Sequence, residues 1–141
     1  MPTLIDYQAT MKYEGRAYDF EVPALEVLQC GDCDEQLFDI EAGAKISAAF
    51  RAKLGLLQPE QIRAGRKALG LNQQEFAAHL GVAEESISRW ETGALVQSRV
   101  VDRQIRLYFQ LPAVRSLLGA RDVPDFGTAV QFSAADSSVR N

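Results

Sequence analysis

The sequence predicts an α+β protein, in which a small β-rich domain at the N-terminus is followed by an all-α domain. Apolar and polar residues alternate on both sides of Glu14-Gly15, which is typical of a β-hairpin. From Pro59 onward, apolar residues instead recur at spacings of three and four, which is typical of helices with one buried face. We therefore expect two parts that differ in secondary structure.

The β-rich domain is assigned to residues 1–39. In its hairpin, the first strand ends with Met11-x-Tyr13 and the second strand runs from Ala17 to Val22. Pro23 either ends the second strand or places it at a sheet edge, because proline has no N–H to donate. A third strand is predicted over Leu25 to Leu28.

A helical connector is predicted over residues 40–57, because Ile46, Phe50 and Leu54 share one face. The helical domain is assigned to residues 58–118. Its first helix begins at Pro59, where the missing N–H of proline leaves no bond unmade, and runs through Ala68.

The later part of the helical domain holds two further predicted helices. They run from Val96 to Leu111 and from Pro112 to about Leu118. Residues 119–141 have little apolar surface to bury and are predicted to be a mobile tail.

The stretch from Asn72 to Gly93 predicts a helix, a tight turn and a second helix. Asn72 is placed to cap the first helix, and Gly81 supplies the positive φ that the turn needs. Ile87 and Trp90 form the inward side of the second helix. In DNA-binding proteins, a unit of this kind lays its second helix in the major groove, and we expect the same here.

The charge distribution agrees with such a role. Residues 1–50 carry 3 Lys/Arg and 10 Asp/Glu, whereas residues 51–118 carry 10 Lys/Arg and 6 Asp/Glu. A basic segment therefore follows an acidic one, which fits a DNA-facing module joined to a part that avoids DNA.

The helical half resembles the Xre/Cro family of phage-repressor-like domains. The matching residues are Leu71-Asn72-Gln73-x-Glu75-x-Ala77, then Gly81-Val82, then Ile87-Ser88-Arg89-Trp90-Glu91-x-Gly93, and the resemblance covers roughly Pro59 to Leu118. It implies that Gln73 holds a phosphate while the outward residues of the second helix face the groove, namely Glu84, Glu85, Ser86, Ser88 and Arg89.

Arg89 is the strongest candidate for base reading, because a guanidinium can bond guanine O6 and N7 together. Glu84 and Glu85 either contact bases or only stabilise the helix, because acidic side chains in the first turn interact favourably with the positive end of the helix dipole. Further phosphate candidates are basic residues outside the second helix, namely Arg63, Arg66, Lys67, Arg99 and Arg103. A homodimer would require a palindromic operator in double-stranded DNA.

Cys30-Gly31-Asp32-Cys33 follows the predicted strands and looks like a zinc knuckle, with Cys30 and Cys33 as the candidate metal ligands. A closed zinc site needs four ligands, but the chain has 2 cysteines, and His79 is its only histidine. Three alternatives stay open: a start that lies further upstream, a fold that stands without metal, or a metal shared by two chains.

The order of the two halves resembles the YgiT/MqsA-type antitoxins, in which a zinc-finger-like domain precedes a repressor-like domain. The N-terminal residues that carry this resemblance run from Glu14-Gly15-Arg16 to Cys30-Gly31-Asp32-Cys33. It implies that the N-terminal domain holds zinc and contacts a toxin, while the C-terminal domain dimerises and represses the operon. The alternative is a stand-alone regulator whose N-terminal domain only dimerises or senses a ligand.

Other classes of function have little support in the sequence. No Ser/His/Asp or Cys/His set is evident, so we do not expect an enzyme. No apolar run approaches the roughly 20 residues of a membrane span. The N-terminus lacks the features of a signal peptide, so we expect a cytoplasmic protein.

Overall fold

The computed structural model describes residues 2–32 and 35–119. Its elements are β1 (Pro2–Tyr13), β2 (Arg16–Gln29), β3 (Gln36–Leu37), α1 (Ile40–Leu54), α2 (Pro59–Ala68), α3 (Gln73–Leu80), α4 (Glu84–Thr92), α5 (Arg99–Gln110) and α6 (Pro112–Gly119). The predicted α+β class is therefore confirmed. The predicted mobile tail lies outside the described residues, apart from Gly119.

The sheet is a long antiparallel hairpin with a short third strand. β1 and β2 pair from Pro2↔Leu28 to Tyr13↔Arg16. Glu14 and Gly15 both have positive φ, at 49° and 80°, as the tight hairpin turn requires. β3 pairs only with Leu28 and Gln29 of β2. The hairpin predicted around Glu14-Gly15 is therefore confirmed.

The separate third strand predicted over Leu25–Leu28 was wrong, because β2 continues through Pro23. The register shifts between Ile5 and Tyr7, and Ala24 has φ 52°. This bulge takes Pro23, which has no N–H, out of the regular ladder. Asp6 Oδ1 accepts a hydrogen bond from the backbone N of Ala24 at 3.0 Å, which satisfies the displaced donor.

α1 covers one face of the hairpin. Asp39 caps it by accepting from the backbone N of Ala42 at 2.8 Å, and Gly55 ends it in the left-handed conformation. Phe50 of α1 lies 5.5 Å from the Phe20 ring of β2, measured between ring centroids. The buried apolar residues of this first core are Ala9, Tyr13, Phe20, Val22, Leu25, Val27, Ala42, Phe50, Leu54 and Leu56.

A second core lies among helices α2 to α6. Its buried residues are Ile62, Phe76, Ala77, Leu80, Ile87, Trp90, Ile105 and Tyr108. α5 begins at Arg99 rather than at the predicted Val96, because Ser98 caps the helix by accepting from the backbone N of Val101.

The hairpin tip and α1 contact the loop between α4 and α5. Tyr13 Oη donates to the backbone oxygen of Gln97 at 2.7 Å. The backbone N of Arg99 donates to Glu14 Oε1 at 2.8 Å. These bonds join the β-rich part to the segment that directly follows α4. Within the described residues, every helix is too short or too polar to cross a membrane.

Candidate nucleic-acid interface

α3 begins at a reciprocal cap. Asn72 Oδ1 accepts from the backbone N of Glu75 at 2.7 Å, and Glu75 Oε1 accepts from the backbone N of Asn72 at 3.0 Å. This capping box satisfies two donors that the helix itself leaves unpaired. The start of α3, where Gln73 lies, is therefore fixed by its own sequence.

The turn between α3 and α4 depends on Gly81. This residue has φ 72° and ψ 34°, in the left-handed region that glycine adopts at low cost. Its N–H bonds back to Ala78, and the N–H of Val82 bonds to the carbonyl of Ala77. The helix, turn and helix predicted between Asn72 and Gly93 are confirmed in their positions.

α4 has one buried side and one outward side. Ile87, Trp90 and Glu91 are buried. Glu84, Glu85 and Arg89 are exposed, while Ser86 and Ser88 are half-buried. The helix therefore presents polar and charged side chains outward, as a helix that reads base edges must.

A shallow cleft brings together four of the predicted DNA contacts. Gln73 at the start of α3 lines it with Glu84, Glu85 and Ser88 of α4. Ser86 and Arg89 of the same helix do not line this cleft. Two helix N-termini thus meet here, and each favours negative charge through its dipole.

A buried ion pair fixes α4 against α2 and was not predicted from the sequence. Arg66 Nε donates to Glu91 Oε2 at 2.7 Å and Arg66 Nη2 donates to Glu91 Oε1 at 2.9 Å. Gln73 Nε2 also donates to Glu91 Oε1, at 3.2 Å. The hydrogen bonds to Glu91 raise the pKa of Arg66.

Arg66 was therefore a wrong choice as a phosphate contact, because its guanidinium is buried against a carboxylate. The signal that could have found this pair is the presence of Arg66 and Glu91 at otherwise inward helix positions. Gln73 keeps its predicted place at the helix start, with one amide hydrogen engaged by Glu91 and a second one left on the same nitrogen.

The other predicted phosphate contacts differ in how accessible they are. Arg63 and Lys67 are exposed and lie one turn apart on α2. Arg103 is exposed on α5, whereas Arg99 is half-buried and donates to the backbone oxygen of Leu54 at 3.0 Å. Of the predicted phosphate contacts outside α4, Arg63, Lys67 and Arg103 are therefore the ones whose charge is accessible to DNA.

The predicted zinc knuckle is described only in part. Cys30 is half-buried and its backbone N donates to the oxygen of Glu35, while Cys33 lies outside the described residues. His79 belongs to the second half, where its Nδ1 lies 2.6 Å from Tyr108 Oη. Within residues 2–32 and 35–119, no three His, Cys, Asp or Glu residues group together as metal ligands would.

Residues 62–103 match the protein family described as Helix-turn-helix. This range begins in α2, contains all of α3 and α4, and ends in α5. The match supports a helix-turn-helix domain over these residues and a DNA-binding transcription regulator. No curated protein matches the chain.

Proposed function

We propose that the chain is a sequence-specific repressor that reads an operator in double-stranded DNA with α4. The observation that carries this proposal is the division of α4 into a buried side, with Ile87 and Trp90, and a polar outward side that ends with Arg89. The family match covers the same helix. In this proposal Arg89 and Ser88 contact base edges, while Gln73, Arg63 and Lys67 contact phosphates.

The repressor acts as a homodimer in this proposal. Exposed apolar residues on α5 and α6 supply the dimer contact, namely Val100, Leu107, Leu111 and Leu117. Val100, Leu107 and Leu111 are spaced seven and four apart, so they share one face of the α5 region. Tyr108, which follows Leu107, is instead buried in the core of its own chain. Two chains related by a two-fold axis would read a palindromic site.

The finer proposal is that the chain is the antitoxin of a toxin–antitoxin pair in the cytoplasm. The outer face of the sheet supports a protein contact, because Leu4, Leu28 and Leu37 are exposed there. Leu28 and Leu37 are directly paired across β2 and β3. Acidic side chains on the exposed surface of β2 favour a basic partner, namely Asp19, Glu21 and Glu26.

Co-expression with the adjacent open reading frame tests the antitoxin proposal. The tagged chain is purified and the mass of the complex is measured. We expect a stoichiometric complex that is lost in the double variant Leu4→Lys/Leu37→Lys, because the new charges would repel a basic partner at two exposed positions on which the fold does not depend.

Leu107→Lys is the matched control, since it places a charge of the same sign on an exposed leucine of α5. It should lower the mass of the assembly through loss of the dimer while the toxin contact persists. No complex with the neighbouring product, or a complex that survives the double variant, would contradict the antitoxin proposal and leave a plain regulator.

The second candidate function is a stand-alone regulator that senses a small molecule. One observation favours it, namely a cleft of about 310 Å³ between α1 and the start of α2, which also touches the end of α4. A ligand bound there would lie against the helix that reads DNA.

A further inference from the structure

Arg51 is a buried cation that forms no salt bridge with any residue the structure describes. It lies on α1 with 1% of its surface exposed. Its Nη atoms donate to the backbone oxygens of Ser47, Gly93 and Leu95 over long distances of 3.4 to 3.5 Å. Its Nε has no hydrogen-bond partner within residues 2–32 and 35–119. Among the described residues, no carboxylate lies within 4.0 Å of this guanidinium as it does for Arg66.

Such burial is costly, because a charge that leaves water needs compensation by a partner of opposite sign. Desolvation accordingly lowers the pKa of Arg51. Arg66 is also buried, but it forms two hydrogen bonds with the carboxylate of Glu91. The two buried arginines of this protein therefore differ in whether a carboxylate contacts them. An anion in contact with Arg51 would add the close ion pair that Arg66 has and Arg51 lacks among the described residues.

Arg51 lines the cleft between α1, α2 and the end of α4, which has a volume of about 310 Å³. One wall is the face of α1 that carries Gly43, Ala44, Ser47 and Ala48. A Cβ added at Gly43 would meet nothing within 4 Å, so this wall is open. The opposite wall is formed at the start of α2, by Pro59 and its neighbours.

The lining defines the chemistry of a ligand. Small and apolar side chains along the walls suit a short hydrocarbon body, and the single cation at the inner wall suits one negative charge. Glu91 also lines the cleft, but its carboxylate is engaged by Arg66 and Gln73. Glu60 is exposed and also lines the cleft, where its charge partly offsets the lowered pKa of Arg51 and would repel an anion.

We propose that this cleft binds a small organic carboxylate, with its charge toward Arg51 and its apolar body along Ala44, Ala48 and Pro59. Binding at this site does not require that α4 reads DNA. A bound carboxylate would nevertheless affect α4, because Arg51 donates a hydrogen bond to the backbone oxygen of Gly93 at the end of that helix.

Titration of the full chain with sodium butyrate tests the site. Melting temperature is followed at constant ionic strength, with sodium chloride as the salt control and butyramide as the uncharged analogue. We expect a saturable rise with butyrate and none with butyramide, since a ligand that binds only the folded state stabilises it.

Three variants assign the effect to the cleft. Arg51→Met removes the charge, and Ala44→Leu narrows the cleft at an exposed helix position without touching the core, so both should abolish the rise. Glu60→Gln should tighten butyrate binding by about two- to fivefold, because it removes an exposed like charge.

If Arg51→Met does not fold, the Ala44→Leu and Glu60→Gln variants still test whether butyrate binds in the cleft, since Ala44 and Glu60 are exposed. Butyrate that acts no differently from chloride, or that acts equally on the wild type and on Ala44→Leu, would overturn the proposal.

Discussion

Single residues on α4 serve two different purposes. Glu91 faces inward and connects three helices through Arg66 and Gln73. Arg89 lies two positions earlier and is exposed. Because a helix turns by about 100° per residue, these neighbours point to different sides. One charge on α4 thus holds the helix in place while the other is available to a ligand.

Replacement of Glu91 by glutamine should destabilise the fold, because it leaves the buried guanidinium of Arg66 without its counter-charge. We expect a loss of about 3 kcal/mol in the free energy of unfolding, measured by urea titration. Glu84→Gln, at an exposed position of the same helix, should change it by less than about 0.5 kcal/mol. Equal effects of the two changes would contradict the role given to Glu91.

Gln73→Ala should weaken the binding of all DNA sequences alike, because a phosphate contact carries no base information. The affinity is measured on a preferred duplex and on a scrambled one. Gln74→Ala, at the next and exposed position of α3, is the matched control. A loss confined to the preferred duplex would show that Gln73 reads bases instead.

At the scale of elements, close packing decides which glycines are required. A Cβ at Gly65 of α2 would come within 2.5 Å of Phe109 Cζ, and the Phe109 ring stacks on Phe76 at 5.7 Å. Gly65 therefore lets α2 approach the aromatic residues that fill the second core. Gly43 of α1 has no such neighbour.

Gly65→Ala and Gly43→Ala should consequently shift stability in opposite directions. The first forces the Phe109 ring to move and should cost about 1–3 kcal/mol. The second replaces glycine by a better helix former in open space and should add about 0.5–1 kcal/mol. Thermal unfolding of both variants checks this pair, and a gain in stability from Gly65→Ala would contradict the packing described for α2.

Elements set by local signals could be predicted, whereas features that depend on distant partners could not. Asn72 marks a helix start through its capping side chain, and Gly81 and Gly93 mark helix ends through their left-handed backbone. The predicted ends agree with the structure. The bulge beside Pro23 depends on Asp6, which bonds to Ala24 from 18 residues away in sequence. The buried pair of Arg66 and Glu91 spans 25 residues, and no spacing rule predicts such a contact.

For the candidate site, the outward side of α4 followed from helix periodicity alone. The environment of Arg99 could not be predicted in this way, because Arg99 bonds to Glu14 and Leu54 in the other half of the chain. The metal ligands Cys30 and Cys33 stay a prediction, as do the homodimer and the toxin.

At the scale of the whole molecule, the hairpin tip is joined to the loop after α4 by Tyr13. Burial raises the pKa of Tyr13 to about 12, and its Oη donates to the backbone oxygen of Gln97. The folded chain therefore holds this proton more tightly than the unfolded chain does. The two halves should be coupled most strongly while the phenol is protonated.

The stability that comes from this proton is complete below about pH 10 and is lost as the pH rises toward about 12. Tyr13→Phe removes the titrating group, so its free energy of unfolding should fall less steeply over this range than that of the wild type. Urea unfolding at a series of pH values measures both slopes. Identical slopes would contradict the burial of this phenol in the folded chain.

The central claim is that α4 reads base sequence in double-stranded DNA, and selection from a random duplex library tests it most directly. We expect the wild type to enrich a palindromic site, and Arg89→Ala to lose discrimination at one position of each half-site, by about 1–3 kcal/mol. Lys45→Ala, which removes an exposed cation from α1, should enrich the same site unchanged. Failure of the wild type to enrich any sequence, or an unchanged site with Arg89→Ala, would contradict the claim.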